Sequence, residues 1–172
     1  CHEFDRYLQG RSTWYDKTYG ADDAVHSQAG PEQRIAYFSA EFGLTESLSI
    51  YAGGLGILAG DHLKSASDLG LPFIGIGLMY KQGYFRQTID ADGQQQHFYP
   101  EYDLHRVPLL PVVNAQGEEL RVALDFPDRR IQIGAWKANV GRVPVLLLDT
   151  DLEANHPADR PITSILYVSG RE

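Results

Sequence analysis

Three glycines in four positions, Gly53-Gly54-Leu55-Gly56, stand where an extended segment runs into a helix-forming stretch. Without Cβ atoms such a run lets the backbone turn sharply and come close to a ligand. The N–H groups at the start of the helix, backed by its dipole, favour an anion and most often a phosphate. This is not a P-loop, because no Gly-Lys-Ser/Thr follows, and the glycine spacing is not that of a dinucleotide-binding loop. Local chemistry leaves two readings open: an anion cradle, or a tight strand-to-helix turn.

Other residues with chemical potential have simpler accounts. Asp61, one turn into the helix, is a favourable negative charge near the positive end of the dipole. Its neighbour His62 has no second His or Cys at ligand spacing, so no metal site is expected. Asp90 with Asp92, and Glu118 with Glu119, are paired carboxylates of the kind a glycosidase needs. Both pairs fall on turn signals and read as solvated. Ser39 and Ser65 lack the setting of an activated serine. His97, His105 and His156 fall in loop-like sequence and are assigned no role. Trp14, Trp136 and the ten tyrosines suit stacking on sugar rings and core packing equally.

The elements that must carry the glycine run follow from periodicity. Arg34-Ile35-Ala36-Tyr37-Phe38-Ser39-Ala40 reads as a short buried strand. After the glycines, Ala59, Leu63, Ala66 and Leu69 form one small, close-packing helix face. Gly70 supplies a left-handed stop and Pro72 follows. Phe73-Ile74-Gly75-Ile76-Gly77-Leu78-Met79-Tyr80 is a second apolar strand. Strand, glycine loop, helix, turn and strand make a βαβ unit, which implies parallel neighbours in an α/β sheet. Upstream, Ser12-Thr13 caps a short helix beginning near Trp14, and residues 20–31 read as a loop. Past Tyr84, turn signals at Asp92-Gly93, 114–117 and Asn139-Val140-Gly141 separate strands at 121–125, 131–137 and 143–149. These read as antiparallel hairpins inserted into the parallel sheet or attached beside it; 154–161, with two prolines, is a loop. The chain thus divides into a helical and loop lead-in (1–33), a βαβ unit with the glycine loop (34–84) and a β-rich portion (85–172).

Bulk properties narrow the partners. With 172 residues, 43% hydrophobic and 22% charged, the chain can bury a real core. A net charge of -8, from 23 acids against 15 bases, argues against binding nucleic acid, which needs clustered Lys and Arg. No apolar run has the length of a membrane span. The single cysteine, Cys1, allows no internal disulfide and suits a reducing cytoplasm. A start at Cys1 and a stop just after the apolar Ile165-Leu166-Tyr167-Val168 are what a piece of a longer protein would show.

Three separated strings resemble the α-glucan phosphorylase family in order and spacing: Tyr37-Phe38-Ser39-Ala40-Glu41-Phe42-Gly43, then Gly53-Gly54-Leu55-Gly56-Ile57-Leu58-Ala59-Gly60-Asp61-His62-Leu63-Lys64, then Tyr80-Lys81-Gln82-Gly83-Tyr84-Phe85-Arg86-Gln87. The likeness is nearest to the short bacterial and archaeal branch and extends, more weakly, from about Phe4 to Glu172. It implies an α/β fold: an incomplete N-terminal Rossmann-like domain of a two-domain GT-B glycosyltransferase, with the C-terminal domain and its cofactor lysine absent. It implies phosphorolysis of the terminal α-1,4 bond of a glucan or maltodextrin by inorganic phosphate, releasing glucose 1-phosphate with retention. The implied cofactor is pyridoxal phosphate, acting through its phosphate, and the full-length protein is a possible homodimer. By position, the backbone of Gly53, Gly54 and Leu55 would face the cofactor phosphate and the glucosyl unit. Glu41 matches the family's strand-end glutamate in the same cleft; a role toward a water, the loop or the substrate stays open. No catalytic residue is assigned, and the chain alone is expected to be inactive. Gly43 stands where animal and plant members carry an aromatic residue, so no stacking on the cofactor is expected there. An alternative is a nucleotide-sugar glucosyltransferase of the glycogen or starch synthase type. Tyr51, where that family has a lysine, counts against it. A non-enzymatic glucan-binding module has only the aromatic content in its favour.

Overall fold

A computed structural model describes residues 2–10, 12–19, 34–99, 101 and 103–167. At its centre lies the βαβ unit. Strand β1 (Ile35–Phe38) and strand β2 (Phe73–Leu78) pair in parallel, with Ile35 opposite Phe73 and Phe38 opposite Ile76. Helix α3 (Gly54–Leu69) makes the crossover; two short helices, α1 (His2–Gln9) and α2 (Trp14–Tyr19), precede it in the chain.

Sequence sets both ends of α3. Its N-cap is Gly53, in extended backbone and with no side-chain cap. Its C-terminus is stopped by Gly70 at φ 74° and ψ 24°, where the Gly70 and Leu71 N–H groups close onto the carbonyls of Ser67 and Ala66 at 3.2 and 3.0 Å. A left-handed glycine is the least strained way to turn those donors back. Ala59, Leu63 and Ala66 are buried on the sheet, and Gly56, Gly60 and Ser67 are buried with them. Leu69, expected on the same face, is 40% exposed. Ten residues past Ala59 the helix has turned roughly 280° beyond two full turns, which swings Leu69 off the stripe on the side away from Gly60.

The hairpins extend this sheet. Strand β8 (Val143–Asp149) runs parallel to β2, and β7 (Arg130–Val140) returns antiparallel to β8 through a turn in which Gly141 has φ 59°. Strands β5 (Leu110–Pro111) and β6 (Arg121–Asp125) both pair with β7, one beyond the other along its length. The order is β1-β2-β8-β7-β5 with β6 also on β7, while β3 (Arg86–Ile89) and β4 (Gln95–Phe98) form a separate antiparallel pair. Alternation along β8 buries Val143, Val145, Leu147 and Asp149 and leaves the intervening residues half-buried. The core that forms takes in Phe42, Leu48, Ile50, Leu63 and Met79.

One expectation of burial needs correction. Strand β1 is not buried: among the described residues it lies at the edge of the sheet and pairs with β2 alone, and Ile35 and Phe38 are 51% and 73% exposed. Helix α1 lies in the stretch read as a helical and loop lead-in; Phe4, Tyr7 and Leu8 share one of its faces at helical spacing, yet none of its residues is buried. It is held by the Tyr7 hydroxyl, which donates to Asp68 Oδ1 at 2.8 Å and lies 2.7 Å from Ser67 Oγ, and by Arg142, whose guanidinium donates to the carbonyls of Tyr7 and Ser67 and lies over the Tyr7 ring. Helix α2 starts at Trp14 as expected. Thr13 and Asp16 cap each other's N–H groups at 3.1 and 3.2 Å, a reciprocal arrangement that removes two orphan donors. The loop expected at 20–31 lies outside the described residues. Among those described, no helix is long and apolar enough to cross a membrane.

Candidate functional site

Parallel strands β1, β2 and β8 end on the same edge of the sheet. The chain leaving each of them contributes to one cavity of about 530 Å³ above the start of α3. Ligands of open α/β sheets bind at this carboxyl edge, where the loops diverge. Glu41, Gly53, Gly54 and Leu55 all line the cavity, although they come from two elements. Its opposite wall is aromatic, from Tyr84, Phe85, Tyr99 and Tyr167.

Glu41 is the most enclosed of the four, at 2% exposed. Its Oε2 accepts the N–H groups of Ala52 at 3.0 Å and Gly53 at 3.4 Å, and its Oε1 accepts the hydroxyl of Tyr167. Ser39 brackets its backbone at 2.8 and 3.3 Å, and the Tyr80 hydroxyl donates to the preceding carbonyl, of Ala40, at 2.9 Å. Burial pushes the Glu41 carboxyl up, but donors from Ala52, Tyr167, Gly53 and Gly56 together hold it below its ordinary range. Burial, and then the Glu41 charge, raise the Tyr80 phenol. Hydrogen bonding to Glu41, and then its charge, raise Tyr167. Glu41 is therefore an ionised, buried carboxylate whose visible work is on the loop.

The glycines divide by function. A Cβ on Gly56 would lie 2.3 Å from the Tyr51 Cβ, and one on Gly60 would lie 2.1 Å from the Gly43 carbonyl oxygen. Gly43 donates to the Gly56 carbonyl at 2.7 Å, so these glycines serve close packing of backbone on helix. A Cβ on Gly53 or Gly54 would meet nothing within 4 Å. Gly53 has given its N–H to Glu41, whereas the N–H groups of Gly54 and Leu55 have no protein acceptor among the described residues. Gly56 thus serves close packing against Tyr51, while Gly54 leaves open backbone where it lines the cavity.

The aromatic wall was missed residue by residue. Tyr84 and Phe85 lie 4.6 Å apart between ring centroids, Phe85 and Tyr99 6.2 Å, and Tyr84 meets Tyr167 edge-on at 6.4 Å. Tyr84 and Phe85 fall within the family-like segment Tyr80–Gln87, which was a usable signal. Tyr167 gave none, since 126 positions separate it from Glu41. His97, read as loop, sits on β4 and packs against Phe85 and Tyr99. The tryptophans lie elsewhere: Trp14 packs on Tyr19, and Trp136 donates its indole N–H to buried Asp149 at 3.0 Å. Lys81 joins Asp151 at 2.6 Å and Asp149 at 3.7 Å, tying together the ends of β2 and β8. His62 packs between Tyr37 and Phe73. Asp90 accepts from Asp92, Gln94 and Gln96 and so organises its own turn. Among the described residues no three His, Cys, Asp or Glu gather as a metal site would need.

Comparison with known proteins bears on the same segments. The family model "Carbohydrate phosphorylase" matches residues 44–116, and one described as "Protein of unknown function (DUF3417)" matches residues 1–48. Glycogen phosphorylase of Mycobacterium tuberculosis (strain ATCC 25618 / H37Rv) is 48% identical over 171 residues, 99% of this chain and 19% of its own length. Maltodextrin phosphorylase of Thermococcus litoralis is 44% identical over 165 residues, 96% of this chain and 19% of its own. Glycogen phosphorylase of Aquifex aeolicus is 44% identical over 138 residues, 80% of this chain and 20% of its own. The chain thus spans about a fifth of the length of these relatives. With such identity carried across nearly all of its residues, and the glycine loop inside the matched family segment, the chain belongs to the carbohydrate phosphorylase family.

Proposed function

We propose that this chain supplies one wall of the active site of an α-1,4-glucan phosphorylase. The reaction is phosphorolysis of the terminal bond of a glucan or maltodextrin by inorganic phosphate, giving glucose 1-phosphate with retention. The observation that carries this reading is the meeting of Glu41, Gly53, Gly54 and Leu55 with an aromatic wall in one cavity. Aromatic faces suit sugar rings, and two bare N–H groups at a helix N-terminus suit a phosphate. On this reading the chain is part of the N-terminal Rossmann-like half of a GT-B fold, divided as 1–33, 34–84 and 85–172. The cofactor lysine belongs to the other half, outside this chain, and the location is cytoplasmic.

Bond cleavage with retention builds positive charge on the sugar, which a neighbouring phosphate dianion stabilises. The N–H groups of Gly54 and Leu55 hold an anion at that place without reorganising during reaction. Pyridoxal phosphate, when bound, supplies a second phosphate for proton transfer, and the bare backbone of Gly53 and Gly54 leaves room for a phosphate to approach. Glu41 does not move a proton in this scheme: with both oxygens engaged by Ala52, Gly53 and Tyr167, it aims the loop. Tyr84, Phe85 and Tyr99 flank the glucan.

The test is glucose 1-phosphate release from maltodextrin by the full-length protein, with and without inorganic phosphate. Phosphate-dependent release supports the reading. A folded, cofactor-loaded protein that releases none overturns it, and transfer from a nucleotide-sugar donor becomes the activity to assay.

A further inference from the structure

We propose that Tyr167 is a positioning residue for the glycine loop, acting through Glu41. The inference rests on reading the cavity as the sugar–phosphate site, and it adds a residue to that site's machinery. The path is short and continuous. Tyr167 donates its hydroxyl to Glu41 Oε1. The other oxygen of that carboxylate gathers the N–H groups of Ala52 and Gly53, the two residues that lead into α3. With those donors taken, the next two along the chain, on Gly54 and Leu55, are left for a ligand.

The segment carrying Tyr167 is itself anchored. Gln82 donates its N–H to the Ser164 carbonyl at 2.9 Å, and Gln82 and Ile165 form a parallel bridge. The stretch after β2 and the stretch approaching Tyr167 therefore form one wall, and that wall reaches the loop through the Tyr167 hydroxyl. A carboxylate with only backbone donors would keep Oε1 free to rotate toward solvent or ligand. A third donor from the opposite wall fixes its plane, and with it the direction of the turn. The titratable groups facing Glu41 from the packed segments are Tyr80 and Tyr167. Tyr80 spends its hydroxyl on the Ala40 carbonyl, so among the described residues Tyr167 alone donates a side-chain hydrogen bond to the carboxylate. The lowered Glu41 carboxyl, to which the Tyr167 bond contributes, fits this arrangement.

The experiment compares wild type with Tyr167→Phe in the full-length protein, by amide hydrogen exchange and by kinetics. Phenylalanine keeps the ring in the wall and removes only the donor. Exchange at Ala52 and Gly53 should quicken about tenfold, the scale of one hydrogen bond to a charged group. Exchange across residues 62–69 of α3 should not change, which controls for misfolding. Loop protection in the variant should also be lost at a higher pH than in wild type, because Glu41 loses a donor that favours its charged form. For phosphorolysis, kcat should fall about tenfold, with KM for maltodextrin within about twofold. On a Glu41→Gln background the second substitution should add nothing to either readout. Unchanged exchange at Ala52 and Gly53 would overturn the proposal, as would loss of protection throughout α3 or a rise in KM alone. Faster loop exchange in a full-length protein that releases no glucose 1-phosphate would uphold the positioning role and sink the phosphorylase reading.

Discussion

Alanine at Gly60 and alanine at Gly54 should have opposite consequences, although both add one methyl to the same helix. At position 60 the added Cβ would sit 2.1 Å from the Gly43 carbonyl oxygen, 0.9 Å inside the 3.0 Å that Cβ atoms essentially never breach. The obstacle is backbone, so no side chain can swing away; α3 or the segment after β1 must move by nearly an ångström. Overpacking of this kind costs about 3 kcal/mol, at the upper end of its usual range. Alanine returns about 1 kcal/mol as the better helix former. The net of about 2 kcal/mol is roughly a thirtyfold loss of protection against local opening. At position 54 the Cβ meets nothing within 4 Å, so α3 should hold as in wild type. The methyl would, however, stand in the cavity beside the Gly54 and Leu55 N–H groups. Interference with such a donor is worth about 100-fold in rate. Hydrogen exchange across α3 and phosphorolysis, both on the full-length protein, read the two outcomes separately. Wild-type α3 protection in Gly60→Ala would refute the close-packing argument. Full activity in Gly54→Ala would refute the assignment of the open backbone to a ligand.

Other perturbations test other links. Glu41 is held below its ordinary value, so the order it confers is present at neutral pH and is lost only as pH falls through that lowered value; exchange at Ala52 and Gly53, corrected for intrinsic rates, should stay protected into the acid range, and Glu41→Gln should remove the dependence. Tyr84→Ala takes away a ring that packs on Phe85 and Tyr167, and KM for maltodextrin should rise about threefold to tenfold with a smaller change in kcat. Arg142→Met should weaken the hold of α1 on α3 by about 2 kcal/mol, seen as faster exchange across residues 2–9, while the Tyr7 hydroxyl keeps its bonds to Ser67 and Asp68. Arg142→Lys should not restore it, because one ammonium cannot span the Tyr7 and Ser67 carbonyls as the planar guanidinium does.

The βαβ unit was legible because each of its signals is local. The glycine run at 53–56, the glycine stop at Gly70 and the apolar run of β2 act over a few residues, and backbone sterics enforce the glycine positions wherever they occur. Strands β6, β7 and β8 could be read from the turn signals that separate β-prone stretches, for the same reason. Whether β1 was covered could not be read, since burial depends on which elements pack beside a strand and not on its own apolar residues. The anchoring of helix α1 was equally hidden: Arg142 lies 135 residues and Ser67 lies 60 residues from Tyr7.

For the site, residue types and spacing singled out the glycine run, while the resemblance to the α-glucan phosphorylases named Glu41 and the Gly53-Gly54-Leu55 backbone as candidates for one cleft. Three-dimensional packing assigned their work. It put Gly56 and Gly60 against Tyr51 and Gly43, left Gly53 and Gly54 bare, and turned the Glu41 carboxylate onto the loop. It also brought Tyr167 to Glu41 from the far end of the chain. Hydrogen bonds and close contacts between distant residues are set by how the sheet stacks its strands, and no local pattern records them.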